Sequence, residues 1–240
     1  MPKARKFKIR NKKGVIVKSY FQHILIFLSV FVISFLAIVA WNDLIPQDTL
    51  RKSAGEINFD YGPVDNFVFA DVPGQHKNAY ALLYMKERAF IKGYDDGTFL
   101  PEQPVNRAEF VKMVITAQNL YPHKINHSNC LPDVSGQWFA PYVCFAKNKG
   151  WISNEEKPFV PDRKITRAEA IKIALGAFSY RIEGNDDQDW YEPHLEAAGN
   201  LQILNGLFED DEMFDPHVEI SRAEAAELLF RLLVIQSKYS

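Results

Sequence analysis

Apolar residues beyond about position 80 fall into short stretches of helical period, and three of these open on the same punctuation. After Asn106, Thr166 and Ser221 come Arg107-Ala108-Glu109, Arg167-Ala168-Glu169 and Arg222-Ala223-Glu224. The apolar positions then recur at three- and four-residue steps: Phe110, Val111, Val114 and Ile115; Ile171, Ala174 and Leu175; Ala225, Leu228, Leu229 and Leu232. That spacing places them on one face of a helix. A polar N-cap followed three positions later by Glu is a capping box, in which each side chain satisfies the other's backbone N–H. Three helices are therefore predicted to start at these boxes.

Six residues before each Arg stands the proline of a Phe-x-Pro: Phe99/Pro101, Phe159/Pro161 and Phe214/Pro216. A residue before proline avoids right-handed helical angles, so a short extended piece is predicted there. Upstream of each Phe-x-Pro lies a loop with Gly and acidic residues. Before that comes another helical pattern, over 80–90, 140–149 and 193–202. The boxes are 60 and 55 residues apart. A fixed internal order at that period is the signature of one helix–loop–helix unit used three times. One such pair cannot bury its apolar face alone, and three packed together can.

The Glu of each box is accounted for by capping. The Arg is not: at the first helical position it lies near the positive end of the helix dipole, where a cation is mildly unfavourable. Arg107, Arg167 and Arg222 are therefore the first candidates for contact with an anionic ligand.

The motifs resemble those of S-layer homology domains. Asp71-Val72 and Asp133-Val134, the Gly-Tyr-Asp-Asp-Gly-Thr-Phe of 93–99 and the three Arg-Ala-Glu boxes stand in the family's order. The resemblance covers roughly 69–239. It implies a mainly α fold, a pseudo-trimer of three helix–loop–helix repeats (67–122, 123–183 and 184–240) around a central three-helix bundle. It also implies non-covalent binding of an anionic, often pyruvylated, secondary cell-wall polysaccharide in the grooves between repeats. Carried over by motif position, the glycan contacts are Arg107, Arg167, Arg222, Asp71, Asp133, Gly93 and Tyr94. The family's Trp falls at Trp138 in the second copy, at Trp190 in the third and at Lys77 in the first, counting sixteen residues back from Gly206 and Gly93. The second copy has residues 154–158 in place of the Gly-Tyr-x-Asp-Gly-Thr-Phe loop, and the third has an acidic insertion at 209–212. Three equal sites are not expected.

The N-terminus changes the reading of charge. Eight basic residues precede position 20, no acidic residue precedes Asp43, and residues 24–41 are apolar except for Ser29 and Ser34. Eighteen helical residues extend about 27 Å, close to the roughly 30 Å of a bilayer core. Basic residues on the N-terminal side keep that end cytoplasmic. Residues 1–21 thus read as a basic cytoplasmic segment, 22–41 as an uncleaved single-pass signal anchor, and 42–66 as a linker without sustained periodicity, with room for one short ordered stretch. A cleaved secretory signal is the alternative; either way the remainder is exported and is expected at the cell wall or S-layer. The exported part carries 20 basic against 30 acidic residues, where the whole chain is at −2. That balance argues against nucleic acid, which needs a basic footprint.

Cys130 and Cys144 form a plausible disulfide in an oxidising exterior; a buried thiol at Cys144 beside a free Cys130 is the alternative. No cofactor, catalytic residue or metal is expected. His123 and His127 lack a third ligand, and Asp186, Asp187 and Asp189 sit in a turn where capping suffices. Asp95-Asp96-Gly97 lacks the Glu of a calcium loop, having Gln103 at that place. The competing functional reading is a module that docks an S-layer or other envelope protein.

Overall fold

The computed structural model describes residues 57–120, 122, 129–153, 157–183, 187–208 and 214–239. The apolar run at 24–41, His123, His127, Asp186 and the insertion at 209–212 lie outside these. Among the described residues no helix is long and apolar enough to cross a membrane.

The fold is mainly helical. In chain order it comprises α1 (Ala79–Glu87), α2 (Arg107–Ala117), β1 (Asn129–Leu131), β2 (Val134–Ser135), α3 (Ala140–Asn148), α4 (Arg167–Ala177), α5 (Glu192–Asn200) and α6 (Arg222–Tyr239). The two strands form a small antiparallel ribbon with Asp133 in its turn. Helices α2, α4 and α6 pack on one another, and each takes a first helix of the next pair on its flank: α3 on α2, α5 on α4 and α1 on α6. The predicted apolar faces are the buried ones; Val111, Val114, Ile115, Ile171, Ala174, Leu175, Ala225, Leu228, Leu229 and Leu232 are all inaccessible to solvent.

The three long helices begin as the capping boxes predict. The Asn106 and Thr166 side chains accept from the Glu109 and Glu169 amides, and each Glu accepts from its N-cap amide in return. Ser221 and Glu224 exchange the same pair of bonds. A capping box satisfies the N3 amide and leaves those at N1 and N2 needing acceptors. Each helix finds them on a different pair. Arg107 and Ala108 donate to Arg163 and Pro161 carbonyls; Arg167 and Ala168 donate to Val218 and Pro216; Arg222 and Ala223 donate to Gln103 and Pro101.

One residue before each cap a further set closes the circle. Val105 N–H donates to Ile220 O, Ile220 N–H to Ile165 O, and Ile165 N–H to Val105 O, each at 3.1 Å. All three side chains are fully buried. Short antiparallel bridges Pro104–Ser221, Asn106–Lys164 and Thr166–Glu219 flank this ring.

Two of the three Phe-x-Pro segments differ from the extended piece predicted. Leu100 and Val160, the residues before Pro101 and Pro161, have φ of 56° and 54°. This left-handed conformation lies outside the right-handed helical region that proline disfavours, and it is costly, most of all for the β-branched Val160. Asp71 and Asp133 hold it in place. The two oxygens of Asp71 accept from the Phe99 and Leu100 amides, and those of Asp133 from Phe159 and Val160, all at 2.7 Å. Gly93 is fixed by close approach: a Cβ there would lie 2.6 Å from Thr98 O and 2.9 Å from the Phe69 ring.

Cys130 and Cys144 are joined in a disulfide that ties β1 to α3. It closes a loop that carries Asp133 and Trp138. Replacing both cysteines by serine is expected to lower stability by about 3 kcal/mol on the loop-entropy argument, measured from the denaturant midpoint together with the slope, which rises as the unfolded chain expands. An unchanged stability would show that the loop is held by its other contacts.

Candidate functional site

The three seams between helix pairs share a backbone plan, and their side chains distinguish them. At the seam of α2 with the third and fourth helices, Arg107 Nε donates to Phe159 O at 2.8 Å, and its guanidinium lies 4.6 Å from the Phe159 ring. Its Nη1 meets Glu169 at 3.1 Å, where Arg163 also binds at 2.6 Å. Burial raises the Glu169 carboxyl, but the Arg163 hydrogen bond and the Arg107 charge outweigh it and hold the group below its ordinary value.

At the next seam Arg167 pairs with Glu224 at 3.3 Å and lies 4.4 Å from the Phe208 ring. Both partners are buried, with side-chain exposures of 6% and 9%. At the closing seam Arg222 Nε donates to Phe99 O at 2.8 Å, and the guanidinium lies 4.6 Å from the Phe99 ring and 5.1 Å from Tyr94. The arginines that capping leaves unexplained thus have a structural partner across a seam: a carbonyl for Arg107 and Arg222, a carboxylate for Arg107 and Arg167. That partner is invisible to an argument made within one helix.

Five residues beyond the first two arginines, about one and a half helical turns, are side chains that sequence reasoning missed. Lys112 Nζ sits 5.3 Å from the Trp138 ring centroid, and Lys172 Nζ sits 5.1 Å from Trp190. The indoles are 55% and 48% exposed, a large area for tryptophan to leave open. Each Lys is five residues after its Arg, and each Trp is two residues before its short helix. The signal was present in the first two boxes as a repeated Lys. Trp138 is held edge-on against Phe139, and Trp190 against Tyr191. His194 Nδ1 contacts Trp190 O at 3.1 Å. Burial and the neighbouring Lys172 charge push His194 below its ordinary value. Lys172 and His194 also border a cleft of about 870 Å³ lined by Lys149, Trp151, Tyr180 and Arg181.

The closing seam departs from this plan. Position five after Arg222 is Glu227, and the residue two before α1 is Lys77. Glu227 is buried and bonded by Arg231 at 2.8 Å; burial nevertheless raises its carboxyl above its ordinary value.

The sequence-predicted residues therefore divide by place. Trp138 and Trp190 are presented at seams beside a lysine, and Arg107 sits in the first of those seams. Tyr94 lies at the closing seam against Arg222. Asp71 and Asp133 spend both carboxylate oxygens on loop amides, and Gly93 lies inside a tight loop. Asp96 accepts from the Thr98 amide at 2.9 Å and hydroxyl at 2.7 Å, closing its own turn. Among the described residues no cluster of His, Cys, Asp and Glu is placed to hold a metal ion.

The profile of the S-layer homology domain matches residues 68–111 and 131–171, which contain the first two boxes with their upstream helices. An exoglucanase, XynX, of Acetivibrio thermocellus is 32% identical over 163 residues, 62% of this chain and 15% of the relative. The S-layer protein sap of Bacillus anthracis is 26% identical over 168 residues, 67% of this chain and 20% of the relative. A cellulosome-anchoring protein of Acetivibrio thermocellus is 28% identical over 116 residues, 47% of this chain and 26% of the relative. The chain thus spans about a quarter or less of the length of these relatives. What an exoglucanase shares with S-layer and anchoring proteins over such a segment is a module common to all three. With the profile on two boxes and relatives of this kind, residues 68–111 and 131–171 of the chain are recognised as S-layer homology domains.

Proposed function

We propose that this chain is a cell-envelope tether whose helix pairs bind an anionic wall polysaccharide, with 22–41 as the membrane anchor. In this reading the third pair, residues 184–240, is a further S-layer homology repeat, and the three pairs form a pseudo-threefold spindle. The observation that carries it is the exposed indole with a lysine ammonium over it, found at equivalent places in two seams. A flat ring offers a stacking surface for a sugar, and the ammonium offers charge-assisted bonds to an acidic substituent such as a pyruvate ketal. Arg107 and Arg163 add cationic character to the first site. Arg167, committed to Glu224 and buried, positions the second seam. The S-layer and cellulosome-anchoring relatives support the same placement at the cell surface.

The acidic balance of the exported part is compatible with this ligand. Exposed charges beyond about 8–10 Å are screened in physiological salt, whereas a lysine held against an indole acts at contact distance. The reading therefore predicts weak long-range steering and a short-range, salt-tolerant contact.

The full chain in detergent micelles is expected to sediment with pyruvylated wall polysaccharide and not with the same polymer after mild acid has removed the ketals. Lys112→Ala, Trp138→Ala, Lys172→Ala and Trp190→Ala should each weaken its own site about tenfold or more, the scale of losing a charge-assisted bond or a stacked ring. If all four bind like the parent, the glycan reading is wrong; retention of an envelope protein in place of the polymer would favour the docking alternative.

Glu169 competes with the proposed ligand for Arg107 and Arg163. Glu169→Gln is expected to raise affinity for the pyruvylated polymer several-fold at the first seam. The same variant has a pH signature. Because the Glu169 carboxyl is lowered in the fold, its stabilisation is present above the unfolded carboxylate pKa of about 4.3 and is lost as pH falls through the folded value. Thermal melts of the parent should therefore keep this contribution from neutral pH down to about pH 4.3 and lose it on further acidification, and those of Glu169→Gln should lose less. Equal losses would show that the group is not coupled to its arginines.

A further inference from the structure

The segment that the sequence reads as a linker is built into the closing seam. Val64 N–H donates to Gly74 O at 3.0 Å, and Ile57 N–H donates to Gln202 Oε1 at 3.0 Å, which connects the segment to both sides of the seam. Tyr61 stacks on Tyr80 of α1 with centroids 4.3 Å apart and planes 11° from parallel, and its edge meets Phe230 of α6 at 5.5 Å. Phe59 lies under the Arg231 guanidinium at 4.7 Å. Arg231 is itself buried and donates to Glu227, to Ile203 O and to Asn205 O. Tight local turns shape the segment: Asn58 and Asp60 side chains each accept from the amide two residues on, and Gly62 takes a φ of 70°. At its end the fit is close enough to require glycine. A Cβ on Gly74 would stand 1.9 Å from Val64 O.

This is the seam in which the lysine-over-indole pair is absent. Glu227 stands where Lys112 and Lys172 stand, and Lys77 stands where Trp138 and Trp190 stand. The two exchanges go together. The carboxylate at 227 holds Arg231, Arg231 holds Phe59, and the lack of an indole before α1 leaves room for Tyr61 against Tyr80. A cleft of about 830 Å³ persists beside the segment, which forms one wall of it. Asp60 and Glu227 line that cleft together with Gln75, His76 and Lys77. Arg222 is still present at this seam, with its Nε on Phe99 O and its guanidinium against Tyr94 and Phe99, as Arg107 is placed on Phe159 at the first seam; the difference between the seams lies at positions 77 and 227.

We propose that the closing seam is the seat of the chain's own stalk: residues 57–64 dock there as a built-in occupant, and binding of an acidic sugar is confined to the other two seams. The second half rests on the glycan reading above; the first does not. The seams then divide the labour. Two hold the polymer, and the third fixes the stalk to the folded body at residue 57, so that tension between wall and N-terminus passes through the seam.

Hydrogen exchange on the full chain in detergent tests the docking without any ligand. The Ile57 and Val64 amides are expected to exchange at least a hundredfold more slowly than a free chain. Gly74→Ala and Tyr61→Ala should each bring them to free-chain rates and leave the ring amides of Val105, Ile165 and Ile220 protected, which shows that the body is still folded. Free-chain exchange at Ile57 and Val64 in the parent overturns the proposal. Equilibrium dialysis against a pyruvylated fragment of the wall polymer tests the exclusion. Two equivalents are expected in the parent and none in the Trp138→Ala/Trp190→Ala double variant, with Arg222→Ala still binding two. Three equivalents in the parent overturn the exclusion. No binding in any of these proteins overturns the glycan reading and leaves the docking to be decided by exchange alone.

Discussion

The ring of backbone bonds among Val105, Ile165 and Ile220 is the constraint on which the rest depends. Each residue donates to one partner and accepts from the other, at the same 3.1 Å, so no member is satisfied unless all three are in place. The amides that follow, at the first two positions of each long helix, also take their acceptors from a different pair. An isolated helix of the length of α2 or α4 is marginal in water. Here it also begins with amides whose partners lie elsewhere in the sequence, and a buried amide without a partner costs about 1–3 kcal/mol. Folding of one pair is therefore coupled to folding of the others through main-chain bonds, before any side chain is considered.

That coupling explains the arginines. An Arg at the first helical position is aimed across the seam, because its own amide is already bonded to the neighbouring Phe-x-Pro segment. From there Arg107 and Arg222 reach the Phe carbonyl and lie over the Phe ring. The left-handed Leu100 and Val160 belong to the same device, and Asp71 and Asp133 hold that turn by its amides. Arg, Phe, Pro and Asp recur together because they form one inter-pair joint. A ligand at a seam meets a wall whose backbone is already bonded, so it pays little to organise its site.

How much of this was legible in the sequence follows from the range of each interaction. The capping boxes, the buried helix faces and the helix–loop–helix order depend on contacts within a few residues, and the residue pattern predicts them directly. The acceptors of the arginines are 52 and 123 residues away, so within one helix Arg107 and Arg222 have no structural explanation. Lys112 and Lys172 repeat at a fixed offset, yet their meaning rests on Trp138 and Trp190 arriving from a different helix. At Leu100 and Val160, proline favours an extended residue before it, and the distant Asp71 and Asp133 carboxylates hold the left-handed form instead. Residues 57–64 lack periodicity because they form no helix or strand, and absence of periodicity is uninformative about packing.

A shared main chain also permits the seams to diverge. The ring and the cross-seam amide bonds make no use of the side chains at positions 77, 112, 138, 172, 190 and 227, so those positions are free to change without disturbing the joint. At two seams they carry Lys with Trp. At the closing seam Glu and Lys take those places, and the seam holds Phe59 and Tyr61 of the same chain. A single exchange would be hard to accommodate: Glu227 without Arg231 would be a buried carboxylate lacking its ion-pair partner, whose loss costs several kcal/mol, and Arg231 without Glu227 would be the reverse. Charge, aromatic platform and stalk therefore have to change as a set. That interdependence favours seams with distinct occupants over three weakened copies of one site.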